Sequence, residues 1–479
     1  MLAEYGGLFA VGRLLGWYAS AADFGDQLMV NPTLLYLLGR GTTAVLGTLT
    51  VFITYLLGKT AYNRTVGLLS AAFLAVCFLH VRDSHFAVND IPLTFFTTIV
   101  LWASLKIAEI GKLKWYFVAG MALGLGFATK YSAALAGLPI IVAHLFSPGF
   151  RFAKGALYWR RLGVAMLAAG GAAVVGSPYF VLAPGKVIQD AYEALYLSGQ
   201  HGFEGWQIDP AGGFLFYLKT LSWGLGLGLL LTSVVSLCVA VLRRLPQDIV
   251  LASFVLVGYI FWGRQEMYFA RFIIPLIPPL LVLAALLVEK FANSFVPAPG
   301  KTGLITGGIA LLLMLHPLVS SVRLGYLWTQ TDTRTLAREW IEQHLPADAR
   351  IAVDWRTHAP PLSTVDQPAV AAGREYEVLI VGGKGLSEHP LAWYREKGYD
   401  YLIASSFIYN IPLTNVEMNV EREVFYDSLD EQATLEQSFW PSTTRTEPNF
   451  IFDEVVGPAV SLWQRERPGP VIRIYRLTP

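Results

Sequence analysis

From Asn31 to Arg323 the sequence repeats apolar stretches of the length a helix needs to cross a bilayer, roughly 17 to 25 residues. Hydrocarbon offers no partner to a bare backbone group, so such stretches fold as helices that satisfy their own N–H and C=O groups. They predict spans at 34–58, 65–81, 91–109, 115–130, 132–147, 162–182, 214–242, 248–263, 270–290 and 303–325. The pair meeting at Thr129-Lys130-Tyr131-Ser132 also reads as a broken helix with a re-entrant piece. Composition agrees: 54% of the residues are hydrophobic and 15% charged, where a soluble domain carries about 25% charged. The 36 Lys and Arg balance 35 Asp and Glu, for a net charge of +1. That leaves no basic field to hold nucleic acid. Cys77 and Cys238 both sit in apolar runs and suggest neither a disulfide framework nor a zinc site.

Basic residues in short loops orient the spans. One set of loops holds Lys59, Arg64, Lys106, Lys112, Lys114, Arg151, Lys154, Arg160, Arg161, Arg243, Arg244, Lys290 and Lys301. The opposite set has only Arg82, Lys130, Lys186, Lys219, Arg264, Arg271 and Arg323. The first set is therefore expected in the cytoplasm, and the second outside, together with everything after Arg323.

Near Tyr326 the composition turns globular. Thr333 to His344 has helical spacing, with Leu336, Trp340 and Ile341 on one side and charges on the other. β-rich runs follow at Arg350–Val353, Glu377–Val381, Tyr399–Ala404 and Val471–Tyr475. The expected fold is a polytopic α-helical membrane protein of about ten spans with a C-terminal α/β domain outside the membrane. Its parts are interfacial helices on the outer face (1–32), a transmembrane domain (33–325) and a soluble extracytoplasmic domain (326–479). Residues 5–18 (YGGLFAVGRLLGWY) read as an interfacial helix with Trp17 and Tyr18 at headgroup depth. Orientation places Met1 outside without a basic n-region or cleavage site before it. The expected explanation is an upstream span lost by truncation or a misplaced start.

Ionisable groups beside hydrocarbon are costly and mark function by default. The densest set is HVRDSHFAVNDIPL (80–93), which joins two spans on the expected outer side. Arg82, Asp83, His85, Asn89 and Asp90 could bind a phosphate there and supply an acid or base. The plainer reading is a polar turn in which Asp90 caps the helix opening at Ile91-Pro92. Lys130 closes a smooth, glycine-rich helix and could either bind an anion or snorkel to the headgroups. Tyr268 and Arg271 stand in GRQEMYFARFIIPLIPPLL, and Arg271 flanks a long apolar run. His201, Glu204 and Trp206 occupy the loop QHGFEGWQIDP; Trp206 could stack on a sugar or anchor at the interface. Carboxylates, cations and aromatics over apolar helices suit a lipid-linked anionic substrate.

Arg82-Asp83-Ser84-His85-Phe86, with Asn89-Asp90-Ile91-Pro92-Leu93-Thr94-Phe95-Phe96, resembles the second outer loop of the C-superfamily glycosyltransferases. The group it is most similar to is the bacterial and archaeal relatives of dolichyl-phosphate-mannose protein mannosyltransferases (family 39). Ala128-Thr129-Lys130-Tyr131, Gly176-Ser177-Pro178-Tyr179 and Tyr268–Pro275 are similar to further landmarks, in the same order. The resemblance implies inverting transfer from a polyprenyl-phosphate sugar to an acceptor hydroxyl of a protein, lipid or glycan in the cell envelope, at the plasma membrane. A carboxylate would take the acceptor proton, with cations or a divalent metal stabilising the leaving phosphate. Asp90 matches the family's second acid and Asp83 neighbours it, so both are expected to be catalytic. Arg82, His85, Lys130 and Arg271 are expected on the donor phosphate. Asn89, Tyr131, Tyr268, His201, Glu204 and Trp206 are expected in the substrate pocket. The family's Asp-Glu pair after its first span has no match here, which agrees with a missing span.

Two other classes fit the residues. A transporter or flippase would move an intact lipid-linked or polar solute, but such proteins tend to show inverted repeats and midplane charges, and neither is evident. An inactive relative would bind lipid or glycan without transferring it. The residues show no His and carboxylate set with metal-ligand spacing.

Overall fold

The computed structural model describes residues 2–30, 33–148, 156–193, 212–265, 269–295, 302–355, 358–362, 376–382, 384–411 and 420–477. They divide into two compact units, one from the residues between 39 and 321 and one from those before and after.

The first unit is helical. Among the described residues of the chain, five helices are long and apolar enough to cross a membrane, or six if a bent pair counts as one span. The protein is thus a multi-pass membrane protein, but ten spans are not confirmed. The reason is visible at the breaks. The run expected as one span at 65–81 is Arg64–Val76 and Phe78–Ser84, bent by 59° at Cys77. The expected span 214–242 is two helices, Gly213–Leu225 and Leu227–Arg243, parted by Gly226 at φ +80. Only glycine enters that conformation cheaply, and a Cβ there would come within 3.0 Å of the His316 ring. At Thr129–Ser132 the chain breaks: Leu113–Thr129 ends, a 3₁₀ turn covers Tyr131–Ala136, and Gly137–Phe146 continues. A second 3₁₀ turn, Ala270–Leu276, precedes the helix Ile277–Phe295.

Small residues bring the helices together. Leu113–Thr129 packs along Ala156–Gly176, and a Cβ on Gly120 or Gly124 would collide with the Ala165 or Ala169 carbonyl. The four-residue spacing is that of small-residue contact faces between membrane helices.

The second unit includes the helices Leu2–Leu14 and Ala21–Val30 and a five-stranded sheet. Strands β1 (Arg350–Val353), β2 (Glu377–Ile380), β3 (Tyr401–Ser405), β4 (Thr434–Phe439) and β5 (Ile472–Arg476) lie in the order β2-β1-β3-β5-β4. β1 runs parallel to β2 and β3, and β5 pairs antiparallel with β3 and β4. Alternation divides the side chains between two cores. Ile351, Val353, Ile403, Ile472 and Ile474 join Ala337 and Ile341 of the helix Thr333–His344 on one face. Ala352, Leu402, Ala404 and Tyr475 meet Tyr394, Phe425 and Leu429 on the other. The four β-rich runs read from sequence coincide with β1, β2, β3 and β5. β4 was not expected, because TLEQSF sits at the sheet edge, half exposed and bulged, without a regular apolar face.

Candidate active site

The site is built in the helical unit, where three elements end close together. Asn89 is the N-cap residue of the helix Asp90–Ile110, without a side-chain cap bond, and Asp90 is the first helical residue. The expectation that Asp90 caps this helix is therefore corrected. Its carboxylate, fully buried, turns instead to two cations. Lys130 Nζ donates to Oδ1 at 2.6 Å, and Arg271 Nε lies 3.4 Å from Oδ2. Uncapped N–H groups in the first turn also favour a negative charge at this position.

Both cations stand at 3₁₀ turns, Lys130 just before one and Arg271 inside the other. The tight turns follow from sequence: Pro275 denies an N–H to the second one, and Lys130 has an extended backbone (φ −158, ψ 130) that stops its helix. Aromatic faces hold the charges. Lys130 Nζ is 3.7 Å from the Phe272 ring centre and 5.4 Å from that of Trp262; Arg271 Cζ is 4.4 Å from that of Phe269. Such contacts hold a desolvated cation by about 2 kcal/mol. Two cations against one carboxylate leave one positive charge in excess, partly exposed on both side chains.

Lys130 opens onto a cavity of about 670 Å³, which Asn89 and Tyr131 also line. Of the residues expected in the site, the structure thus brings together Asp90, Lys130, Arg271, Asn89 and Tyr131. Arg82 and Asp83 form a separate buried ion pair at 2.9 Å, with Arg82 Cζ 5.9 Å from the Trp223 ring. His85 is exposed, its Nδ1 2.8 Å from the Val81 carbonyl oxygen, and it lines a different cavity of about 650 Å³. Tyr268, His201, Glu204 and Trp206 lie outside the described residues.

Two cavity residues escaped the sequence reading as site members. Lys186 and Asp190, on the helix Pro184–Tyr192, line the same space as Lys130 and pair at 4.0 Å. Their four-residue spacing on a short helix after Pro184 was the available signal. Phe127 stacks on Phe180, ring centres 5.6 Å apart, and forms another part of the wall. Asp83 and Asp90 are each engaged by cations. Among the described residues no three His, Cys, Asp or Glu gather to hold a metal ion.

Residues 37–174, which include Asp90 and Lys130, match the family model of dolichyl-phosphate-mannose-protein mannosyltransferases. The chain shares its fold with ArnT from Cupriavidus metallidurans bound to undecaprenyl phosphate: TM-score 0.50, 13% identity, 91% of this chain and 84% of that one. The Archaeoglobus fulgidus oligosaccharyltransferase in the apo form is also similar, at TM-score 0.48 and 10% identity over 92% of this chain and 78% of that one. No curated protein matches the sequence. The resemblance to C-superfamily glycosyltransferases read from the hairpin is borne out.

Proposed function

We propose that this protein transfers a sugar from a polyprenyl-phosphate-linked donor to an acceptor hydroxyl at the outer face of the plasma membrane, with inversion at the sugar carbon. The observation that carries the reading is the buried Asp90 carboxylate between Lys130 and Arg271 at the edge of a large cavity. The donor phosphate meets the surplus positive charge there. Arg271 offers a planar fork of donors and Lys130 a point charge. As the bond from sugar to phosphate breaks, negative charge grows on the leaving oxygen, and cations already fixed by Asp90 and the aromatic rings stabilise it without reorganising. Asp90 is thus a positioning residue for the two cations. The Arg82–Asp83 pair braces the hairpin that carries it. The family match and the undecaprenyl phosphate in the similar ArnT structure support a lipid phosphate of this class. The sheet domain stands outside the membrane in this reading.

Incubating the purified chain with undecaprenyl-phosphate-linked hexoses and pentoses tests the reading. Sugar release or transfer is expected, and Arg271→Ala should weaken undecaprenyl phosphate binding by about 10- to 100-fold, as for a lost charge-assisted contact. Passage of the intact donor between leaflets, with no cleavage, would instead establish a flippase.

A further inference from the structure

Transfer to a hydroxyl needs a group to take its proton, and neither carboxylate of the hairpin is free to do so. Asp90 is fully buried with a cation on each side, and Asp83 is fully buried against Arg82. Both are enclosed by protein and neither lines the cavity, so a substrate hydroxyl there does not reach them. Among the described residues lining that cavity one carboxylate remains, that of Asp190. Its side chain is 46% exposed, and its partner Lys186 stands 4.0 Å away without enclosing it. Asn89, Tyr131 and Ser177 supply hydrogen-bonding groups around the same space, and Lys130 lines it too.

We infer that Asp190 is the proton acceptor for the incoming hydroxyl, an inference that rests on the transfer reading above. The acceptor oxygen forms its bond to the anomeric carbon while its proton passes to the Asp190 carboxylate. The bond from that carbon to the phosphate oxygen breaks, and the electron pair leaves with the polyprenyl phosphate, held by Lys130 and Arg271. A pocket arranged in this way places cations where the leaving group departs and a carboxylate where the nucleophile arrives.

The test uses the full chain in lipid nanodiscs. Undecaprenyl phosphate binding is measured directly, and turnover of an undecaprenyl-phosphate sugar is followed with glycerol as a hydroxyl acceptor and with azide. Azide has no proton to lose and so bypasses a base. Asp190→Asn should bind undecaprenyl phosphate like the wild type and lose about 10²- to 10⁴-fold in turnover with glycerol, the range for a general base. It should keep its turnover with azide. Asp190→Glu, which retains the carboxylate, should recover most of the glycerol reaction and guards against a folding defect. Equal losses with glycerol and azide, or unchanged turnover with glycerol, would overturn the assignment while leaving the donor site standing. A wild-type chain that neither binds undecaprenyl phosphate nor cleaves any donor would overturn the transfer reading itself.

Discussion

Replacing Lys130 with Met removes a charge from a site where the structure makes that charge answer to two partners. With an effective dielectric of about 20, the attraction at 2.6 Å is about 6 kcal/mol, and that of Arg271 for the same carboxylate at 3.4 Å about 5 kcal/mol. Most of this offsets the cost of burying the ions. Removing one partner of a buried pair typically costs 3–5 kcal/mol, because a charge is left behind. Arg271 remains, so about 3 kcal/mol is expected for Lys130→Met, a fall of about 3 to 5 °C in the unfolding temperature. In an Asp90→Asn background the same Lys130→Met change should cost no more than about 1 kcal/mol, because the lysine there has no carboxylate to pair with and only repels Arg271. Undecaprenyl phosphate binding should behave differently. It falls by about 10- to 100-fold in the single variant and stays equally weak in the double, since the missing cation is not restored. Thermal unfolding in detergent and a lipid-binding titration on the same preparations separate the two effects. A Lys130→Met cost as large in the Asp90→Asn background as in the wild type would refute the claim that Lys130 compensates Asp90. Recovered binding in the double would refute Lys130 as a phosphate ligand.

Other outcomes follow from particular contacts. Gly124→Leu should lower stability by about 3 kcal/mol or abolish expression, because its side chain must push against the Ala169 carbonyl; thermal unfolding measures it. Burial pushes the Asp354 carboxyl up to about 6, although Tyr426 and the Ser405 and Leu386 N–H groups, at 2.6 to 2.8 Å, pull it back. A folded value above the unfolded one means that the native state holds a proton the unfolded chain releases. Stability of the sheet domain should therefore fall by about 3 kcal/mol as pH rises from about 4 to 6, then level off. Asp354→Asn should remove that slope, and also weaken the domain because its NH2 group must face at least one of the three donors without accepting from it. Proteolysis of the intact protein in urea at pH 4.5 and 7 reads both. Gly385→Ala should likewise loosen this corner, since φ is +67 and a Cβ would press on the Asp354 carboxylate; the same proteolysis at pH 7 checks it.

What the linear chain determined was whatever depends on neighbours a few residues away. Apolar run length set the membrane class, periodicity placed the helix at Thr333–His344, and short β-rich runs placed four of five strands. The chemical identity of the site was legible too, since ions beside hydrocarbon stand out in any sequence: Asp90, Lys130 and Arg271 were all singled out. Only tertiary structure decided who met whom. Asp90 and Lys130 are 40 residues apart and Arg271 lies 141 beyond Lys130, so no local rule could join them while leaving Asp83 with Arg82. The bend at Cys77, whose Sγ meets the Gly224 carbonyl, and the break at Gly226 beside the His316 ring both involve distant segments. Nothing in its near neighbours distinguishes Asp190; folding sets it on the wall of the cavity that Lys130 also lines. Burial is the physical reason throughout. It turns equal carboxylates into unequal ones, and it is a property of the packed molecule.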